Sequence, residues 1–273
     1  MELRTILVNL DIDFYSPNLL KAAVDLAQRF GARIIAVAAA SAPTELIAVE
    51  GAAVSVGLYE AERAQVEDRL NGLEAEFRES VPAALRDNCL VHLGAPNPIL
   101  TRVARRADLI LVRSHLGGEE VRSRNLDVGE LLLAVGRPVL LVEPDCATVK
   151  ADSIVVAWKD SREARRAVSD ALPLLKKATQ VVVAGIDDGD RINERVGVDD
   201  VIAWLRLHDA RVRGDVYPAV GSHGDTLQKI AREAEADLIV AGAYGHSRMR
   251  EWIFGGVTRD LLAAPTINRF MSN

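Results

Sequence analysis

Short solid runs of Val, Ile and Leu recur along the chain, separated by longer stretches in which apolar residues return every three or four positions. The runs are Thr5–Leu10, Arg33–Ala38, Cys89–Leu93, Asp108–Val112 and Pro138–Val142, then Ser153–Trp158, Gln180–Ala184, a strand within Arg211–Val220, Asp237–Ala241 and Thr266–Met271. A continuous apolar run of this length is a strand buried on both faces, and strands that alternate with helices form a parallel sheet covered on both sides. Between them, Leu19, Leu20, Ala23, Leu26, Ala27 and Phe30 keep helical spacing, opened by Ser16-Pro17 and closed by Gly31. Tyr59 to about Ser80, Ile99–Arg106, Val128–Val135, a helix capped by Ser161 and carrying Ala164 to Leu175, Asp199–His208, Ser222–Ala236 and a helix from about Val257 complete the pattern. Residues 40–54 are small and apolar without a period and read as a loop. The closing strand is polar for a buried one, which predicts an edge position.

The pattern is written twice. Asp108-Leu-Ile-Leu and Asp237-Leu-Ile-Val lie 129 residues apart, and at the same offset Leu131–Ala134 faces Asp260–Ala263 without a gap. Ile6 and Ile154 lie 148 apart, so the first copy is longer between those anchors, around its loop and long helix. Duplication of one βα unit follows, with domains at 1–144 and 152–273 joined by a polar linker, and right-handed crossovers make each unit a doubly wound sandwich.

Candidate chemistry concentrates after the fourth strand of the second copy. There the chain reads Gly242-x2-Gly245, crosses nine residues and reaches Gly255-Gly256-Val257-Thr258 at the start of a helical run. Glycines at a strand end let backbone approach a ligand, and a helix start offers free N–H groups and a dipole that favour an anion. The alternative is that these are turn glycines. At the 129 offset the first copy has Arg113, Leu116, Leu126 and Asp127 instead, so an aspartate would repel a phosphate where the second copy offers an amide. Arg113 with His115, and the pair Gly117-Gly118, read more simply as surface loop.

These features together resemble the universal stress protein family in its tandem two-domain form. The carriers are the duplicated five-strand unit, Gly242-x2-Gly245-x9-Gly255, Val257-Thr258-Arg259, and Val156-Ala-Trp-Lys-Asp-Ser-Arg-Glu-Ala164. The resemblance implies two flavodoxin-like, adenine-nucleotide-hydrolase-like α/β domains, each a five-stranded mostly parallel sheet with helices on both faces, packed as an internal pseudo-dimer through their fifth strands. It implies ATP, with Mg²⁺ accompanying it. The glycine loop (Gly242, Gly245, His246, Gly255, Gly256, Val257, Thr258) would hold the phosphates, backbone at the end of the second strand (Ala184) would meet the adenine, and an aspartate after the first strand would hold the ribose end. The family's hydroxyl residue after the third glycine is Gly256 here, so a hydroxyl contact falls to Thr258. The aspartate position is Lys159, with Asp160 beside it either substituting or helping to cap the next helix. The first copy keeps its aspartate, Asp11.

Composition narrows the rest. A net charge of −6 gives no reason to expect nucleic acid or an anionic membrane as partner. Two cysteines without short spacing give no zinc knuckle or disulfide framework. The amino terminus runs straight into a strand without a signal-peptide pattern, and no apolar run is long enough to span a bilayer. A cytoplasmic protein is expected. His223 and His246 are the candidate acid–base groups near the crevice, but no Ser-His-Asp order, Walker lysine or Gly-x-Ser-x-Gly elbow accompanies them. A stress-response sensor or regulator with little or no catalysis is the first expectation. A ligand-free scaffold, a carrier of another small molecule, or a slow ATP hydrolase are the alternatives. A further homodimer is left open.

Overall fold

The computed structural model describes residues 2–42, 52–114, 124–187, 189–244, 256–263 and 267–273. Gly245, His246, Gly255, Trp252 and Phe254 lie outside the described residues, as do His115, Leu116 and Gly117-Gly118. The first unit runs β1 (Thr5–Leu10), α1 (Pro17–Phe30), β2 (Arg33–Ala40), α2 (Ala52–Ser80), β3 (Arg86–Leu93), α3 (Pro96–Ala104), β4 (Leu109–Arg113), α4 (Val128–Ala134) and β5 (Val139–Val142). The second runs β6 (Ser153–Trp158), α5 (Arg162–Leu175), β7 (Gln180–Asp187), α6 (Arg191–Leu207), β8 (Val212–Pro218), α7 (His223–Glu233), β9 (Leu238–Gly242), α8 (Gly256–Ala263) and β10 (Asn268–Ser272).

All ten strands join one sheet in the order β3-β2-β1-β4-β5-β10-β9-β6-β7-β8. Pairing is parallel within each half and antiparallel between β5 and β10. Alternate strand residues serve two cores. Ile6, Val8, Ile154 and Val156 face α1, α2, α5 and α6. Leu7, Ile110, Val155 and Ile239 face α3, α4, α7 and α8. Burial on both faces is why these strands read as unbroken apolar runs.

The two halves also match in detail. Asp108, just before β4, accepts the Arg4 and Thr5 amides at 2.9 Å each with Oδ2, and Asp237, just before β9, accepts those of Asp152 at 3.0 Å and Ser153 at 3.4 Å. Each aspartate fixes the start of the neighbouring first strand of its unit.

Three expectations are corrected. Strand β10 is not at an edge: it lies between β5 and β9, and all five of its residues are buried. Its polar side chains are tolerated because each has a partner. Asn268 Oδ1 accepts the Glu143 amide at 3.0 Å, Ser272 Oγ donates to Asp170 Oδ2 at 3.0 Å, and Arg269 meets Glu143. Ser16 stands at the N-cap of α1, ahead of Pro17, but its side chain makes no capping bond; its hydroxyl donates instead to the Pro144 carbonyl at 3.2 Å, tying the linker to the first unit. The helix before β8 begins at Arg191, eight residues ahead of Asp199.

Candidate functional site

In each half the chain proceeds from its first strand outward in one direction and returns to build the fourth and fifth strands in the other. The reversals fall between β1 and β4 and between β6 and β9. A doubly wound sheet opens a crevice beyond the strand carboxyl ends at such a switch point.

The first crevice is occupied by its own side chains. Asp11, 8% exposed, accepts with Oδ1 from the amides of Asp13 (2.9 Å) and Phe14 (3.0 Å) and from Asn125 Nδ2 (3.0 Å). Arg124 grips Asp13 with two bonds, Nε to Oδ2 at 2.8 Å and Nη2 to Oδ1 at 2.5 Å, and Asn125 adds a third at 2.9 Å. Opposite, Asp127 caps α4 by accepting the Glu130 amide at 2.9 Å. Asn97 holds that cap, accepting the Asp127 amide at 2.9 Å and donating to its carbonyl at 2.7 Å. A carboxylate thus sits where a helix start would otherwise receive an anion. Asp11 and Asp127 stood out in the sequence; the Asp13, Asn97, Arg124 and Asn125 partners did not, because they come from three distant segments with no shared motif.

The second crevice is built differently. Its helix α8 opens at Gly256 with no acidic residue in the first turn, whereas α4 has Asp127 and Glu130 there. Strand β9 ends at Gly242, and a Cβ at that position would lie 2.6 Å from the Ala164 amide nitrogen and 2.7 Å from the Glu163 carbonyl carbon. The bare Cα of Gly242 therefore admits the first turn of α5, whose N-cap Ser161 accepts the Ala164 amide at 3.1 Å. Two residues on, Tyr244 takes a left-handed backbone at φ 63°, unfavourable for a side chain with a Cβ. Its amide donates to Thr258 Oγ1 at 3.3 Å, and Thr258 is buried. Burial, and then the charge of Asp127, push the Tyr244 phenol up to about 12. Gly242, Thr258 and the start of α8 thus belong to one cluster at the end of β9.

Other expected site residues fall differently. Asp160 is exposed, hydrogen-bonds Arg165, and leaves the capping of α5 to Ser161. Ala184 is not at the strand end: β7 continues three residues further to Asp187, and Ala184 is fully buried between Ala157 and Asp215. Backbone at the mouth of β7 belongs to Ile186 and Asp187. His223 is the first residue of α7, behind a capping box of Ser222 and Asp225. At the end of β6, Trp158 is 8% exposed, and its Nε1 is buried without an acceptor among the described residues. Gly197 on α6 makes room for it, since a Cβ there would lie 3.1 Å from Nε1. No group of three or more His, Cys, Asp or Glu side chains among the described residues is placed to hold a metal. No described helix is long and apolar enough to cross a membrane.

Two five-strand parallel units, each with helices on both faces and a switch-point crevice, define a protein of two tandem flavodoxin-like domains. Residues 150–268 match the model of the Universal stress protein family, which makes the second half a domain of that family. A universal stress protein from Archaeoglobus fulgidus DSM 4304 has a similar structure, with a TM-score of 0.74 at 15% identity over 100% of this chain and 99% of that one. A functionally unknown protein from Pseudomonas aeruginosa PAO1 is similar with a TM-score of 0.61 at 15% identity, over 99% of this chain and 92% of the other. At that identity the likeness is one of fold, and it spans both halves. No curated protein matches the chain in sequence.

Proposed function

We propose that this is a cytoplasmic stress-response protein whose second domain binds an adenine nucleotide, ATP with Mg²⁺, and which acts as a sensor or regulator with little or no catalysis. The observation that carries the proposal is the contrast between the two crevices. The first is closed by the Asp11–Asp13–Arg124–Asn125 network and by Asp127 on the α4 start. The second presents Gly256, Val257 and Thr258 in a first turn free of acids. That donor set fits a polyanion: backbone amides and a helix dipole, with no carboxylate in the first turn of α8 to repel it.

In this reading the amides at the start of α8, with Gly245, His246 and Gly255, receive the phosphates. The Thr258 hydroxyl accepts from the Tyr244 amide and keeps its own proton to donate to phosphate. Backbone at Ile186–Asp187, beyond Ala184, meets the base, and Asp160 reaches the ribose end by exchanging its Arg165 partner. Bound Mg²⁺ would neutralise phosphate charge. The two halves act as an internal pseudo-dimer through β5 and β10, and any homodimer forms through other surfaces.

Thermal unfolding tests this. At a hundredfold excess of ATP over its dissociation constant, binding to the native state alone adds about 2.7 kcal/mol. The wild type should rise in Tm with Mg-ATP, and Thr258→Ala should keep part of the rise. An unmoved wild type would favour the ligand-free scaffold, a reading that the tight packing of Gly242 on α5 also accommodates.

A further inference from the structure

The antiparallel junction of β5 and β10 places Phe270 opposite Leu140, Arg269 opposite Leu141 and Met271 opposite Val139. The sheet register shows which residues of the two units correspond. Ile110 pairs with Val139, and Ile239, its counterpart at the 129 offset, pairs with Arg269. Arg269 therefore stands where the first unit has Val139, an offset of 130 (269 − 139) after one added residue between α8 and β10. At that offset Leu140 corresponds to Phe270 (140 + 130), so the central pair of the junction joins two equivalent positions.

The two ends of the junction are chemically unlike. At one end Arg269 is 0% exposed. It donates through Nη1 to the Leu261 carbonyl at 2.8 Å, and through Nη2 to Glu143 Oε1 at 2.7 Å and to Ser114 Oγ. Ser114 and Glu143 belong to the first unit, Arg269 and Leu261 to the second. Their counterparts at the other end are Ala243 for Ser114 (114 + 129), Asn273 for Glu143 (143 + 130) and Val139 for Arg269. None of those three side chains carries a charge.

We infer that the Arg269–Glu143–Ser114 cluster makes this junction selective for unlike units, so that β5 accepts β10 and each strand rejects a second copy of itself. Substituting equivalent positions shows why. A β10–β10 junction would bury two Arg269 guanidiniums facing Ala243 and Asn273, with neither a side-chain carboxylate nor a hydroxyl. A β5–β5 junction would leave two Glu143 carboxylates facing Val139. Removing one partner of a buried ion pair leaves an uncompensated charge, which is far more costly than the pair is favourable. Burial already pulls the Arg269 guanidinium down and pushes the Glu143 carboxyl up, each opposed by the other's charge. Register and partner choice are the best-attested use of such pairs. The inference stands whether or not nucleotide binds.

A reporter thiol in the full chain tests it. In the Leu140→Cys variant the new thiol faces Phe270 in the native junction, but faces its own mate in a β5–β5 junction. The chain is unfolded, refolded at high concentration and oxidised. Dimers disulfide-linked through position 140 of both chains are then counted by non-reducing gel and peptide mass. In the native background only traces are expected. In S114A/E143L/R269M, where the cluster becomes apolar, the linked dimer should rise at least tenfold. Equal amounts in both backgrounds would overturn the inference. Should the triple variant fail to unfold cooperatively, E143Q/R269M serves with the same criterion, since it removes both charges at nearly unchanged volume.

Discussion

A methyl group added at Gly242 would lie 2.6 Å from the Ala164 amide nitrogen, and backbone atoms of a capped helix cannot step aside. Gly242→Ala should therefore cost about 2 kcal/mol, the usual scale of overpacking, read as a lower denaturation midpoint. The sequence marks this glycine for a ligand; its nearest demand is strand-to-helix packing. Cys89 offers a second residue-scale check. Burial, and then the charge of Glu74, push its thiol up to about 12. Iodoacetamide at pH 8 should leave Cys89 unmodified in the native protein and label it after unfolding, because the thiolate is the reactive form. Asp237 gives a pH test. Burial raises its carboxyl above the ordinary 3.8, against the two amides it accepts. The folded state then binds the proton more tightly than the unfolded state, so the contribution of Asp237 falls as pH rises from that value through the raised one. Urea unfolding at pH 4 and pH 7 should show wild type losing stability relative to Asp237→Asn over that interval; a difference that grows instead would refute the assignment.

At the scale of elements, the buried parallel strands were legible because both faces bury Val, Ile and Leu, and their positions agree with the sequence to within a few residues. Helix α6 was legible only in its second half. Its first seven residues, Arg191 to Gly197, are exposed or half-exposed, so no apolar stripe announces them, and the core face begins at Val198. Strand β10 misled for the opposite reason: Asn268, Arg269 and Ser272 look like surface until Ser114 just past β4, Glu143 just past β5, Asp170 on α5 and Leu261 on α8 are in place. The partner lies more than a hundred residues away in four of these five contacts, and no local pattern encodes them. Caps are local, and Ser161 was readable for that reason. The Ser222–Asp225 capping box that starts α7 yields a simple expectation: Ser222→Ala should cost about 1 kcal/mol, while the neighbouring exposed Lys229→Ala should change little.

For the whole molecule, one sheet passes through both units, and the linker is stitched to α1 by Ser16, Asn18 and Arg29. Shared strands of this kind favour a single cooperative unfolding transition, so calorimetric scans should show one peak, with Arg269→Met lowering it as a unit. Duplication followed by divergence accounts for the difference between the two crevices: one carries Asp11, Asp13 and Asp127, and the other carries glycine at the matching helix start. The asymmetry was visible in sequence at Asp127 and Gly256; the closing network around Asp11 was not. The central claim is that the second crevice takes an adenine nucleotide at the start of α8. Titration calorimetry with Mg-ATP on the wild type and on Gly256→Asp, which copies Asp127 onto the second unit, tests it most directly. The expected result is one ATP per chain for the wild type and at least a tenfold loss of affinity in the variant; equal binding by both, or none by the wild type, would contradict it.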